Sequence, residues 1–276
     1  MVTAKTIIGV SDGPQKSIEY WENTLNFKFD ASLLYQPIED VSKGINLIKD
    51  KIDKYDVSMV ITFDGYALNN INDGKLDNYL IDWGKKLNKL KGKSNTLYIR
   101  PLHEFNGDWY SYGTYTNGNS IEAFKNAFKR IVRIISSYGG DFVKWQLSYN
   151  NIQPHEDNTP FSAYYPGNEY VDMIMVSAYN RCRKGGLEEN FNTIFSRAYK
   201  KIKEINSGKP IGIAEVATSG ECGEKGKWYE NMLKTLYSKY NDIKMVNFFL
   251  ENADMNWSVT NKNDINKFSK ALNKYN

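Results

Sequence analysis

The chain is poor in the residues that usually build metal centres: its 276 residues include two histidines and two cysteines, and neither type is spaced as a ligand cluster. Asp64, Glu169, Asp172 and Asp254 are scattered carboxylates, so metal binding is weakly supported. No stretch approaches the roughly 20 apolar residues that a membrane-spanning helix needs. The start, Met1-Val2-Thr3-Ala4-Lys5, lacks the apolar segment of a signal peptide. The expectation is a secreted protein present as its mature domain with an added Met, or a cytoplasmic one if the sequence is complete.

No charge of one sign is concentrated either. The net charge is +4, with Lys and Arg interspersed among Asp and Glu, which argues against nucleic acid or a membrane surface as the partner. Aromatic residues, by contrast, are plentiful, with 20 Tyr, 13 Phe and 6 Trp. Trp21, Trp83 and Trp145 are assigned to the core, and part of the remainder is expected to line a groove.

Apolar runs recur at Thr6 to Ser11, Lys28 to Tyr35, Val57 to Phe63, Thr96 to His103, Phe142 to Ser148, Val171 to Ala178, Ile211 to Val216 and Lys244 to Glu251. They are continuous rather than alternating, as strands buried on both faces are. Between them lie helical patterns at about 41 to 54, 76 to 91, 190 to 206, 226 to 240 and 261 to 274. The clearest helix places Ile121, Phe124, Phe128, Ile131 and Ile135 on one face, with Ser120 as N-cap and Gly139-Gly140 as the stop. Eight strands alternating with helices predict a single-domain (β/α)8 barrel, an α/β fold, over residues 1–276, with its chemistry at the carboxyl ends of the strands. Cys182 and Cys222 each follow an expected strand; a disulfide is one alternative, and two free thiols carry at least equal weight. The longest loop, Tyr149 to Gly167, follows the fifth strand and is a candidate substrate wall. It carries His155, read as a surface residue.

Two strands end in carboxylates. Glu104 follows Arg100-Pro101-Leu102-His103 and precedes Asn106 and Trp109, while Glu215 closes Pro210-Ile211-Gly212-Ile213-Ala214. A pair of carboxylates, one able to hold a proton and one ionised, is what glycosidic bond cleavage needs, and Trp109 offers a flat apolar face for a sugar ring.

The segment Arg100-Pro-Leu-His-Glu-Phe-Asn-Gly-Asp-Trp109 resembles the Arg-Pro-Phe-His-Glu-Met-Asn-Gly-x-Trp signature of glycoside hydrolase family 26. Tyr165-Pro-Gly-Asn-Glu-Tyr-Val-Asp172 resembles that family's lead-in to the sixth strand, and Tyr179-Asn180 and Pro210 to Glu215 fall in the matching order. The resemblance implies a retaining β-glycanase in which Glu104 is the acid/base and Glu215 the nucleophile, with carboxyl groups about 5–5.5 Å apart. It further implies that Arg100, His103 and Asn106 are polar partners of sugar and carboxylates. Trp109 would stack on a sugar, Tyr179 would hydrogen-bond Glu215, and Trp257 would floor the subsite that holds the attacked sugar. No metal or cofactor is implied, and a monomer acting on a polysaccharide or oligosaccharide is expected.

Two positions depart from the mannanase pattern: Ser177-Ala178-Tyr179 stands where mannanases carry Asp-Gly-Tyr, and Phe63-Asp64-Gly65-Tyr66 where an early His is usual. An endo-acting enzyme on β-1,4-mannan or on mixed-linkage β-1,3-1,4-glucan is therefore expected with equal weight, with β-1,3-xylan as an alternative. From another class, the alternative is a catalytically silent carbohydrate-binding barrel.

Overall fold

The computed structural model describes residues 5–182 and 189–275. Eight strands, β1 (Ile7–Ser11), β2 (Ala31–Pro37), β3 (Asp56–Thr62), β4 (Leu97–Pro101), β5 (Lys144–Asn150), β6 (Met173–Asn180), β7 (Ile211–Thr218) and β8 (Ile243–Phe248), hydrogen-bond in chain order and close into a parallel barrel. The accompanying helices are α1 (Ile18–Leu25), α2 (Val41–Ile52), α3 (Leu68–Asn72), α4 (Asp77–Leu87), α5 (Ile121–Ile135), α6 (Phe191–Lys203), α7 (Lys225–Lys239) and α8 (Lys262–Tyr275). This is the (β/α)8 architecture that the alternation predicts. Among the described residues, no helix is long and apolar enough to cross a membrane.

Burial explains the continuous apolar runs. Every residue of β4 and of β7 is buried, because each strand has the barrel interior on one face and helices on the other. Helix α5 forms as its period predicts: Ser120 accepts from the Ala123 amide at 3.1 Å, and Phe124, Phe128, Ile131 and Ile135 are buried. Helices α1 and α3 were not expected. With eight and five residues they are too short to show a repeated apolar period, although α1 has a Ser17 cap at one end and Asn26 in the left-handed conformation at the other.

Strand limits moved where side chains compete with the ladder. β2 begins at Ala31 rather than Lys28, because the Phe29 amide donates to Glu22 Oε1 at 3.2 Å and the Asp30 carboxylate takes the Ile8 amide at 3.0 Å. β4 stops at Pro101 rather than His103, because Leu102 (φ 50°) and Glu104 (φ 55°) are left-handed and cannot continue a strand.

Two compact units are distinguished by their internal contacts. In the unit formed by Leu34–Met175 and Lys201–Pro210, Phe105 stacks on Phe124 with centroids 3.7 Å apart and meets Tyr149 and Tyr164 edge-on or tilted. Trp83, as expected, is core: its indole donates to the Ile38 carbonyl at 3.0 Å, and Gly44 leaves it room, since a Cβ there would lie 2.2 Å from the ring. In the unit formed by Met1–Leu33, Val176–Lys200 and Ile211–Asn276, Tyr229 stacks on Phe268 at 4.2 Å, and Phe191, Phe195 and Tyr240 pack together. Cys182 and Cys222 form a disulfide with Cα atoms 5.3 Å apart.

The loop after β5 is braced by its own polar groups and by Tyr115 of the segment between β4 and α5. The Tyr115 hydroxyl donates to the Asp157 carboxylate and lies 3.0 Å from the Tyr164 hydroxyl, while Gln153 Nε2 donates to Tyr115 at 3.2 Å. Asp157 also accepts from the Thr159 amide at 2.9 Å. The Tyr115 bond, with help from Thr159, pulls the Asp157 carboxyl down to about 2. His155 is exposed, as expected of a surface residue.

Replacing Cys182 and Cys222 together by Ser opens a loop with a sequence separation of 40 and is expected to cost about 2–4 kcal/mol, read as a lower melting temperature that reductant no longer changes. For Asp157 the folded carboxyl titrates below its ordinary value, so its contribution is complete above about pH 4 and is lost as pH falls through about 2. Asp157→Asn is expected to flatten stability over that acid range, and an unchanged acid-unfolding midpoint would refute the brace.

Candidate active site

Glu104 is placed by the abrupt end of β4. Its backbone turns left-handed, and its amide is pinned to the Ser148 carbonyl of β5 at 2.9 Å, while Leu102 and Phe105 on either side are fully buried. The buried carboxylate accepts a hydrogen bond from the Trp109 indole, Nε1 to Oε2 at 3.2 Å. Trp109 itself is 45% exposed, so one ring is tied to the carboxylate and still faces solvent.

The other residues of the motif hold this corner. His103 Nε2 lies 2.8 Å from the Tyr110 hydroxyl and Nδ1 lies 3.2 Å from the Tyr112 hydroxyl, whose O–H also reaches the His103 carbonyl at 3.0 Å. The imidazole is therefore held at both nitrogens. Asn106 uses its amide on the backbone of Asn150, donating to the carbonyl at 2.9 Å and accepting from the N–H at 2.7 Å. Arg100 is wholly buried, so its charge acts from within the unit and not from an open surface.

Glu215 lies within β7 and is also buried. The ladder with β8 slips beside it: Ile213 pairs with Val246 and Val216 with Phe248, three steps on β7 against two on β8. Such a bulge re-aims the side chains at the irregularity, here Ala214 and Glu215. The Tyr179 hydroxyl donates to Glu215 Oε2, and Tyr179 packs against Trp257 with centroids 4.9 Å apart. Trp257 is 1% exposed, and its indole N–H donates to Asp254 Oδ1 at 3.0 Å. Asp254 also pairs with Arg181. Burial alone would raise the Asp254 carboxyl, but the bonds from Arg181 and Trp257 outweigh it and hold the group below its ordinary value.

Thus Glu104, His103, Asn106 and Trp109 share one corner, and Glu215, Tyr179 and Trp257 share another. Sequence reading missed Tyr110, Tyr112, Arg181 and Asp254. The two tyrosines directly follow Trp109 and Arg181 directly follows Tyr179-Asn180, so position beside a motif was the available signal. Asp254 had none beyond the loop that carries Trp257. Among the described residues, no group of three or more His, Cys, Asp or Glu is arranged to hold a metal ion.

Known proteins similar to this chain are of two kinds, relatives in sequence and solved structures of like fold. The chain is 32% identical over 210 residues to Endoglucanase H of Acetivibrio thermocellus, covering 73% of this chain and 22% of that protein. It is 26% identical over 192 residues to the mannan endo-1,4-beta-mannosidase of Bacillus subtilis strain 168, covering 67% of this chain and 45% of that protein. The chain thus spans less than half the length of these relatives. In fold it is similar to the catalytic domain of the endo-beta-1,4-mannanase of Bacillus sp. JAMB-750, with a TM-score of 0.76 at 13% identity over 99% of this chain and 85% of that one. Because the model of glycosyl hydrolase family 26 matches residues 10–274, nearly the full length, the chain belongs to that family.

Proposed function

We propose that the chain is a retaining endo-β-glycanase with Glu215 as nucleophile and Glu104 as acid/base. The observation that carries this reading is the unequal treatment of two buried carboxylates. Glu215 receives a phenolic O–H from Tyr179, a strong donor that favours the ionised form an attacking group needs. Glu104 receives an indole N–H at 3.2 Å from a half-exposed Trp109, a weaker tie beside a surface where a sugar could stack.

In the first step Glu215 attacks the anomeric carbon while Glu104 gives its proton to the departing glycosidic oxygen, so one C–O bond forms as another breaks. In the second, Glu104 takes a proton from water, whose oxygen attacks the same carbon and releases Glu215. Neither step requires a cofactor. His103, fixed between Tyr110 and Tyr112, anchors the chain immediately before Glu104.

For the substrate, a β-glucan backbone is the first reading. It is supported by the 32% identity to an endoglucanase and by Ser177-Ala178 and Phe63-Asp64, which depart from the mannanase pattern. β-1,4-Mannan is the second, supported by the several mannan endo-1,4-beta-mannosidases among the relatives. A few hydrogen bonds of about 1 kcal/mol each suffice to tell an axial hydroxyl from an equatorial one, so single positions can decide between them. The Cys182–Cys222 disulfide favours an oxidising, extracytoplasmic setting, and a monomer is the proposed working form.

Incubation with barley-type mixed-linkage glucan, galactomannan, β-1,3-xylan, carboxymethylcellulose and laminarin is expected to release oligosaccharides from the first, with the anomeric configuration retained in the initial products. Release from galactomannan alone would move the assignment to mannan, and release from none would favour a binding barrel. Glu104→Ala should lower polymer turnover by about 10²–10⁴-fold and hydrolysis of an activated aryl glycoside by less. Glu215→Ala should abolish turnover while sparing glycan binding in affinity electrophoresis. Normal turnover in either variant would refute its assigned role.

A further inference from the structure

The surroundings of Tyr179 hold more than its contact with Glu215. The Arg181 guanidinium lies 5.5 Å from the centre of the Tyr179 ring and 5.3 Å from that of Trp257, and it pairs with Asp254. Asp254 accepts the Trp257 indole N–H at 3.0 Å, and Trp257 packs at 4.9 Å against Tyr179. Phe249 adds an edge contact to the tyrosine at 6.0 Å. The four side chains Tyr179, Arg181, Asp254 and Trp257 therefore close a ring of contacts, and the tyrosine hydroxyl carries it to Glu215.

Two features distinguish this ring from a chance surface ion pair. First, Trp257 is 1% exposed, so it offers no open face to a sugar and acts as packing for Tyr179. Second, Asp254 has two duties: one oxygen fixes the indole and the other holds the guanidinium. A planar guanidinium can pair with a carboxylate along its edge while its face lies against aromatic rings, whereas an ammonium has no plane to stack.

We propose that Arg181 and Asp254 are positioning residues for Glu215, acting through Trp257 and Tyr179. The proposal rests on the reading of Glu215 as the nucleophile. Tyr179 can aim Glu215 only while its own ring is held, and small losses of alignment at an attacking atom are costly in rate.

The test measures the burst of dinitrophenolate from 2,4-dinitrophenyl β-cellobioside and β-mannobioside, whose activated leaving group makes the burst report attack by Glu215. Arg181→Ala and Asp254→Asn are each expected to slow the burst about tenfold or more, with KM within about threefold. Both side chains are about half exposed, so the melting temperature should stay within about 2 °C. Arg181→Lys, which keeps the charge and loses the plane, should recover part of the rate. An unaltered burst in both Arg181→Ala and Asp254→Asn, or a rise in KM with no change in burst rate, would overturn the proposal. Glu215→Ala is run alongside: if it is silent and the Arg181 variant is unaltered, the positioning role alone fails, whereas a surviving burst in Glu215→Ala overturns the nucleophile reading as well.

Discussion

The hydrogen bond from the Glu104 amide to the Ser148 carbonyl is the constraint on which the corner after β4 depends. Leu102 and Glu104 both have positive φ, a backbone choice that costs about 1–3 kcal/mol per residue for side chains of this kind. Full burial of Phe105 returns about 1.5–3 kcal/mol, and its stack on Phe124 about 0.5–1.5 more. Packing and strain are thus of similar size, and the pinned amide decides that the chain turns there instead of extending β4. The turn in turn fixes where Glu104 meets Trp109, and it allows Asn106 to reach the Asn150 backbone.

The Glu215 corner is placed by a different device. β7 does not end at its carboxylate; the strand continues to Thr218, and the slip against β8 turns Glu215 within it. Here the left-handed residue lies elsewhere, at Cys182 (φ 58°), immediately after Arg181 and inside the disulfide with Cys222. The Asn180 side chain bonds Thr218 at 2.9 Å and its carbonyl takes the Ser219 amide at 3.0 Å, so the ends of β6 and β7 are tied by backbone, side chain and disulfide together. Arg181 sits in the span that these ties fix.

The sequence carried the barrel and the two carboxylates because both are written in local pattern. Buried parallel strands are continuous apolar runs, and the residues around Glu104 form an unbroken motif. Strand limits were less legible where the deciding partner is distant: Glu22 capturing the Phe29 amide shortens β2, and nothing within residues 28–31 announces it. The same holds for the site. Trp109 and Tyr179 stood in motifs, but the contact between Arg181 and Asp254 spans 73 positions and appears only when the loops after β6 and β8 are folded. Trp257 was legible as an aromatic after the eighth strand. Its burial was not, because that depends on Arg181 and Tyr179 covering it.

That burial also constrains what the Arg181–Asp254 pair can be for. An ion pair with both side chains about half exposed contributes ~0–1 kcal/mol to folding, and a cation over an aromatic ring at such a site about 0.5–1. The disulfide next to it, at about 2–4 kcal/mol, already secures the loop. A pair this weak adds little to stability beside such a neighbour, so its geometry matters more than its energy. What it alters is the freedom of two aromatic rings, one of which ends on Glu215. Tyr179 needs no strong restraint to remain folded, but it needs a narrow range of orientations to keep its hydroxyl on Oε2, and the tilted contact with Trp257 and the Arg181 guanidinium over its ring restrict ring orientation at little energetic cost.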